Sequence, residues 1–241
     1  MKKLKCMLCT ALCLVMVMLS GCSSAASSEY KKYSYSFFDT FDTLITVAAY
    51  APDQETFDAA AQRVHALYIQ MHQLYDAYNA YDGLNNLYVL NQSAGDHPIV
   101  VDPLLYDLIR FCKEQQPSLH DKVNIAMGSV LQIWHTYREE GLNDPENAQI
   151  PPMETLMQAA EHIDFDAVVL DDASRSVYFS DPLLQLDLGA VAKGYATEVV
   201  AQELFHSGLT SFVISAGGNV RAGHAPQDGR KAWGVGIQNP T

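Results

Sequence analysis

An α+β layered domain is the fold class the sequence predicts, on three observations. Apolar residues in the first half recur at three- and four-residue steps, the mark of helices that bury one face. From Ala167 onward, short runs of apolar residues bounded by turn residues take over, the mark of strands. One strand–helix–strand unit, residues 184–215, is set into that second half, so helices and strands are largely segregated.

In chain order, Leu44 to Ala49 reads as a strand. Phe57, Ala60, Val64, Leu67, Met71, Leu74 and Tyr78 then mark one face of a long helix from about Asp53 to Tyr75. His65 and His72 lie on that helix with no other ligand type sharing their spacing, and read as ordinary helix residues. Asp82-Gly83 is a turn and Leu84 to Asn91 a short helix. Asp102-Pro103 opens another helix with Pro at its first position, burying Leu104, Leu108, Ile109 and Cys112. A helix is predicted from Ser129 through Trp134 to Arg138, ending near Gly141. Asn143-Asp144-Pro145 and Pro151-Pro152 punctuate the loop that follows, and Met153 to His162 is a short helix. Ala167–Leu170, Ser176–Ser180 and Leu184–Leu188 are predicted strands. Val191–His206 is a helix stopped by Gly208, and Phe212–Ser215 and Trp233–Ile237 are two last strands.

The N-terminus has a different character. Lys2, Lys3 and Lys5 precede an apolar run from Met7 to Leu19, shorter than the roughly 20 residues that a spanning helix needs. Leu19-Ser20-Gly21-Cys22 and the serine- and alanine-rich stretch after it form a lipoprotein pattern: small residues at the cleavage site, then a polar tether. The expectation is a signal peptide over 1–21, a lipid on Cys22, a flexible tether over 22–34 and a folded body over 35–241. The expected address is the extracytoplasmic side of the cell membrane. Cys6, Cys9 and Cys13 leave with the signal. Cys22 and Cys112 remain, which provide neither a disulfide nor a thiolate metal site. The formal charge of −13 argues against a nucleic-acid binder, which needs a basic face.

The densest chemical signal is Leu186-Asp187-Leu188-Gly189-Ala190-Val191-Ala192-Lys193-Gly194-Tyr195-Ala196. A carboxylate precedes a turn that feeds a helix, and Lys193 adds positive charge to the N–H groups and dipole of that helix start. This is a seat for a diphosphate, with Asp187 placed to accept hydrogen bonds from a ring or sugar. The same residues also read as a helix-capping Asp and a solvated Lys. Neither common glycine-rich nucleotide motif is present. One helix later, Gly217-Gly218 in Val213-Ile214-Ser215-Ala216-Gly217-Gly218-Asn219-Val220 permits positive φ and close backbone approach to a ligand, or makes an ordinary tight turn.

These segments resemble the FAD:protein FMN transferases, the ApbE family formerly described as thiamine-biosynthesis lipoproteins. The resemblance runs from about Phe37 to Thr241. Its firmest parts are Leu186–Ala196, Ser215–Asn219 and Gly236-Ile237-Gln238-Asn239-Pro240-Thr241, with Gly128 and Trp134 and the stretch from Tyr81 to Asn91 in support. It implies an ApbE-like, T-fold-related layered domain that binds FAD and Mg²⁺. The implied reaction moves FMN from FAD to a Thr or Ser hydroxyl of an exported flavoprotein subunit, releasing AMP.

Residue by residue, the resemblance makes Asp187 the flavin-binding carboxylate and Lys193 a further FAD contact. The Ala190 carbonyl becomes an oxygen ligand for Mg²⁺, and Tyr81 the ring packed over the isoalloxazine. Lys122, Val123 and Asn124 fall on a flavin-contacting loop, and Phe41 falls where many members carry Met. Asn124-Ile125-Ala126 stands where the family has Asp-x-Thr, and Asp42-Thr43 where it has Gly-Thr. The family pattern also continues past Thr241 with the side chains that complete the Mg²⁺ site. The expectation is therefore a C-terminally truncated member whose catalytic residues lie outside this sequence.

Overall fold

The computed structural model describes residues 30–119, 122–237 and 239. The expected signal peptide, Cys22 and most of the expected tether lie outside the described residues. The elements in order are β1 (Lys31–Phe37), β2 (Ile45–Ala51), α1 (Gln54–Tyr75), α2 (Leu87–Gln92), β3 (Ile99–Val100), α3 (Pro103–Leu119), α4 (Gly128–Asn143), α5 (Met153–Ala159), β4 (Val168–Asp171), β5 (Ser176–Phe179), α6 (Ala192–His206), β6 (Phe212–Ala216) and β7 (Asn219–Ala222). The predicted α+β class holds.

Four strands form an antiparallel sheet in the order β1-β2-β6-β7. Ile45, Val47, Ala49 and Ala51 alternate along β2 and are fully buried, as are Phe212, Ile214 and Ala216 on β6. That buried face receives α1 and α6. The buried α1 stripe keeps Phe57, Ala60, Val64, Met71 and Leu74 of the sequence reading, but Tyr68 takes the deeply buried place expected of Leu67, and Tyr78 lies beyond the helix, exposed. The helix opens where Asp53 accepts a hydrogen bond from the Thr56 N–H at 2.8 Å. The Tyr68 hydroxyl, buried between the helices, donates to Thr197 Oγ1 of α6 at 3.2 Å. Burial pushes this phenol up to about 12. A second antiparallel sheet, in the order β3-β5-β4, is tied to α3 by Lys113, whose Nζ donates to the carbonyls of Phe165 and Val168.

Several elements differ from expectation. β1 begins at Lys31, inside the stretch read as tether, because its alternating Tyr33, Tyr35 and Phe37 find aromatic partners on α1. Tyr33 stacks on Phe57 at 5.5 Å, and Phe37 on His65 at 4.2 Å. Leu184–Leu188 is not a ladder strand. Leu184, Leu186 and Leu188 are buried in alternation, as a strand requires, but the backbone bonds mostly to non-strand partners. Leu186 exchanges two hydrogen bonds with the Asn91 side chain, Asp187 N–H donates to Ile125 and Gly128 N–H donates to Gln185, leaving one parallel bridge, Met127–Gln185. Trp233–Ile237 also forms no strand; Trp233 donates its indole N–H to the His224 carbonyl, while Val235 and Ile237 are exposed. The predicted Met153–His162 helix is shorter, passing into a 3₁₀ turn at Ala160–His162.

Candidate functional site

A cleft of about 1170 Å³ opens between the C-terminal end of α1 with the loop after it, one face of α4, and the turn from Asp187 into α6. Three local designs position its walls. Asp76, which ends α1, folds the following loop around its own carboxylate. That carboxylate accepts from the backbone N–H groups of Tyr78 (2.7 Å) and Asn79 (3.1 Å), from Asn79 Nδ2 (2.9 Å) and from the Tyr81 hydroxyl (3.0 Å). Burial opposes the charge on Asp76, but these donors outweigh it and hold the carboxyl below its usual range. Burial, with Asp76 beside it, pushes the Tyr81 phenol up to about 12.

The second design is the 184–191 segment. Asn91, on α2, acts as a one-residue strand partner: its Oδ1 accepts from the Leu186 N–H at 2.8 Å and its Nδ2 donates to the Leu186 carbonyl at 3.0 Å. This buried pair of bonds fixes the residue before Asp187. The Asp187 carboxylate then accepts the Gly189 N–H at 2.8 Å and the Tyr78 hydroxyl at 3.0 Å. Leu188 anchors the turn into α6, whose N-cap, Val191, makes no side-chain capping bond. Lys193 follows in the first turn and lines the cleft. A carboxylate and a cation at a helix start are therefore presented to one space.

The third is the turn after β1. Phe41 and Asp42 are both left-handed, at φ 55° and 49°, a strained arrangement for two non-glycine residues in succession. Phe41 is held there by its ring edges on Tyr68 and His72 and by its N–H, which donates to His72 Nδ1 at 3.4 Å. Thr43, next in the turn, explains Gly217: a Cβ at Gly217, itself at φ 54°, would lie 2.3 Å from Thr43 Oγ1. The close approach that this glycine permits is thus to the protein's own chain.

Phe41, Tyr81, Asp187 and Lys193 are brought together on the cleft. Lys122, Val123, Asn124 and Ala190 are not among its lining residues. Asn124 is occupied in shaping its loop, donating to the Ile163 carbonyl and accepting the Ala126 N–H, while the loop touches the site through the bond from Asp187 to Ile125. The glycine pair at 217–218 forms the tight turn that the sequence allowed, away from the 184–188 segment. It turns β6 into β7, and Asn219 reaches α6 beside Gly194. Sequence reasoning did not single out Tyr78, His135 or Arg138 as site residues. Tyr78 stacks on His135 at 4.0 Å and 22°, and Trp134 and Arg138 line the same wall. Their four-residue recurrence along α4 with Leu131 was the available signal.

The ApbE family model matches residues 41–241. The chain belongs to the ApbE family. FAD:protein FMN transferases of Klebsiella pneumoniae and Treponema pallidum are 29% and 32% identical to it. Those matches cover 63% and 64% of this chain and 43% and 44% of those proteins. The chain thus spans less than half the length of these two curated relatives. Among solved structures, the flavin transferase ApbE from Vibrio cholerae superposes with a TM-score of 0.71 at 16% identity, covering 88% of this chain and 65% of that one. The ApbE protein from Thermotoga maritima gives 0.72 at 20% identity, covering 87% and 64%. At these identities the ApbE structures establish the shared fold alone.

Proposed function

We propose that this chain carries the flavin-binding site of an FAD:protein FMN transferase that moves FMN from FAD to a Thr or Ser hydroxyl of an exported flavoprotein. The observation that carries the reading is the convergence of Asp187, Lys193 and the start of α6 on one aromatic-lined cleft. FAD presents a flat ring with an N–H donor and a diphosphate. Asp187 is suited to the first, Lys193 and the helix N-terminus to the second, and the aromatic side chains of the cleft, Tyr81 and Phe41 among them, to packing around the ring. In the proposed reaction the acceptor oxygen bonds to the FMN-side phosphorus. The phosphoanhydride bond breaks, AMP leaves with the electron pair, and the hydroxyl proton is released. A phosphoester joins FMN to the protein. Lys193 and the α6 dipole offset the charge that grows on the phosphoryl oxygens.

Mg²⁺ belongs to this proposal through the family resemblance alone. Among the described residues no group of three or more His, Cys, Asp or Glu could hold a metal ion, and Ala190 offers one backbone carbonyl at an exposed turn. These residues do not amount to the near-octahedral oxygen set that Mg²⁺ demands, so no step is routed through it. Lipid attachment at Cys22, which would place the site beside exported acceptors, is likewise proposed from the leader pattern.

The test is to incubate the protein with FAD, Mg²⁺ and a Thr-bearing acceptor domain and weigh the acceptor by mass spectrometry. A gain of one FMN supports transfer. Free FMN and AMP with an unmodified acceptor would make it an FAD pyrophosphatase, and intact bound FAD an FAD-binding lipoprotein without catalysis. Asp187→Ala is expected to weaken FAD binding by about tenfold or more, the scale of a hydrogen bond to a charged group. Unaltered affinity would defeat the site assignment.

A further inference from the structure

Tyr78 makes a pair of contacts that the flavin reading gives to the ligand. Its ring lies nearly parallel to His135 at 4.0 Å, and its hydroxyl donates to Asp187 Oδ2 at 3.0 Å. A flat π face and a single polar hydrogen aimed at Asp187 are also what the imide edge of a flavin ring presents. The phenol is only partly covered. Its relative exposure is 37%, it sits in an irregular loop, and alanines stand at positions 77 and 80. The loop is held by backbone and side-chain bonds to Asp76, none of which uses the Tyr78 ring. Rotation about the side-chain bonds alone would therefore free both His135 and Asp187 without unfolding the loop.

We infer that Tyr78 is a stand-in ligand: in the free protein its phenol occupies the seat of the flavin ring, and FAD binds by displacing it. This rests on the reading of Asp187 as the partner of the flavin ring. The displacement breaks one hydrogen bond and one stack and replaces each with an equivalent, so the exchange is close to neutral and the Asp187 carboxylate is never left bare. Burial, with Asp187 beside it, also raises the Tyr78 phenol well above its ordinary value, which keeps it a donor while it is seated. A fixed wall residue would behave in the opposite way, being covered by the ligand instead of released by it.

Two measurements on the parent chain and its variants test the inference. Tyr78→Phe keeps the stack on His135 and removes the competing bond, so FAD titrated by flavin fluorescence should bind about three- to tenfold more tightly, the reach of one exchanged hydrogen bond. Nitration of Tyr78 by tetranitromethane, read by mass spectrometry, should be slow in the free protein and faster with FAD bound. Unchanged or weaker binding by Tyr78→Phe, or protection of Tyr78 by FAD, overturns the inference. Asp187→Ala separates the two levels. If it retains full FAD affinity, the flavin-site reading fails. If it loses affinity while Tyr78→Phe gains none, only the stand-in role fails. Absence of FAD binding to both the parent and Tyr78→Phe sinks both.

Discussion

The four-stranded sheet with its two helices and the wall of the cleft are held by different physics. In the first, cohesion is spread over many apolar side chains. Ile45, Val47 and Ala49 on β2, Val64 and Met71 on α1, and Val200 on α6 are all fully buried, and each is one contributor among several. The cleft wall hangs on a few polar residues that each satisfy several backbone groups. Asn91 completes both hydrogen bonds of Leu186, and the Asp76 carboxylate gathers the loop from Tyr78 to Tyr81 with help from Asn86, whose Nδ2 donates to the Asn79 carbonyl. The contrast teaches that this fold tolerates gradual loss in its core, while its site depends on individual side chains for which no close substitute exists.

The sharpest way to break that comparison is Asn91→Ala. It leaves the Leu186 N–H and C=O without partners in a buried setting, and should cost about 2–4 kcal/mol in chemical denaturation. FAD affinity should fall with it, because the residue before Asp187 is no longer fixed. A loss below about 1 kcal/mol with unchanged affinity would show that the segment is held by something else. Ile45→Val, at a fully buried core position, should cost about 1 kcal/mol and leave FAD affinity as it was. The smallest expected effect separates the regions by pH. The Asp76 carboxyl is depressed in the folded protein, so its contribution is present above the ordinary carboxylate range and is lost as pH falls through its lowered folded value. Asp76→Asn should therefore lose less stability than the parent between pH 7 and pH 3. Equal losses would remove Asp76 from the account.

The two regions also differ in how far they could be read in advance. The α1 helix and the β2 strand rest on local pattern, apolar spacing along one and a short apolar run in the other, visible wherever the chain is scanned. Asp187 and Lys193 were visible for a related reason: a carboxylate, a glycine turn and a cation at a helix start fall within eight consecutive residues. Leu184–Leu188 shows where this stops. Its alternation correctly marks which side chains are buried, but the backbone beside it, residues 125–128, gives only one parallel bridge, and at Leu186 an asparagine side chain from α2 serves as the hydrogen-bond partner. Trp233–Ile237 has an alternating pattern without a paired strand among the described residues.

By itself, then, the sequence determined the α+β class, the main helices and most of the faces they bury, because each depends on residues close together in the chain. Only the tertiary structure decided that Tyr78, stacked on His135, bonds to Asp187, that Gly217 makes room for Thr43, and that Asn124 shapes its own loop away from the cleft lining. Those outcomes rest on contacts between segments from about 40 to more than 170 residues apart. A hydrogen-bonding side chain leaves no periodic trace of the distant partner it will find.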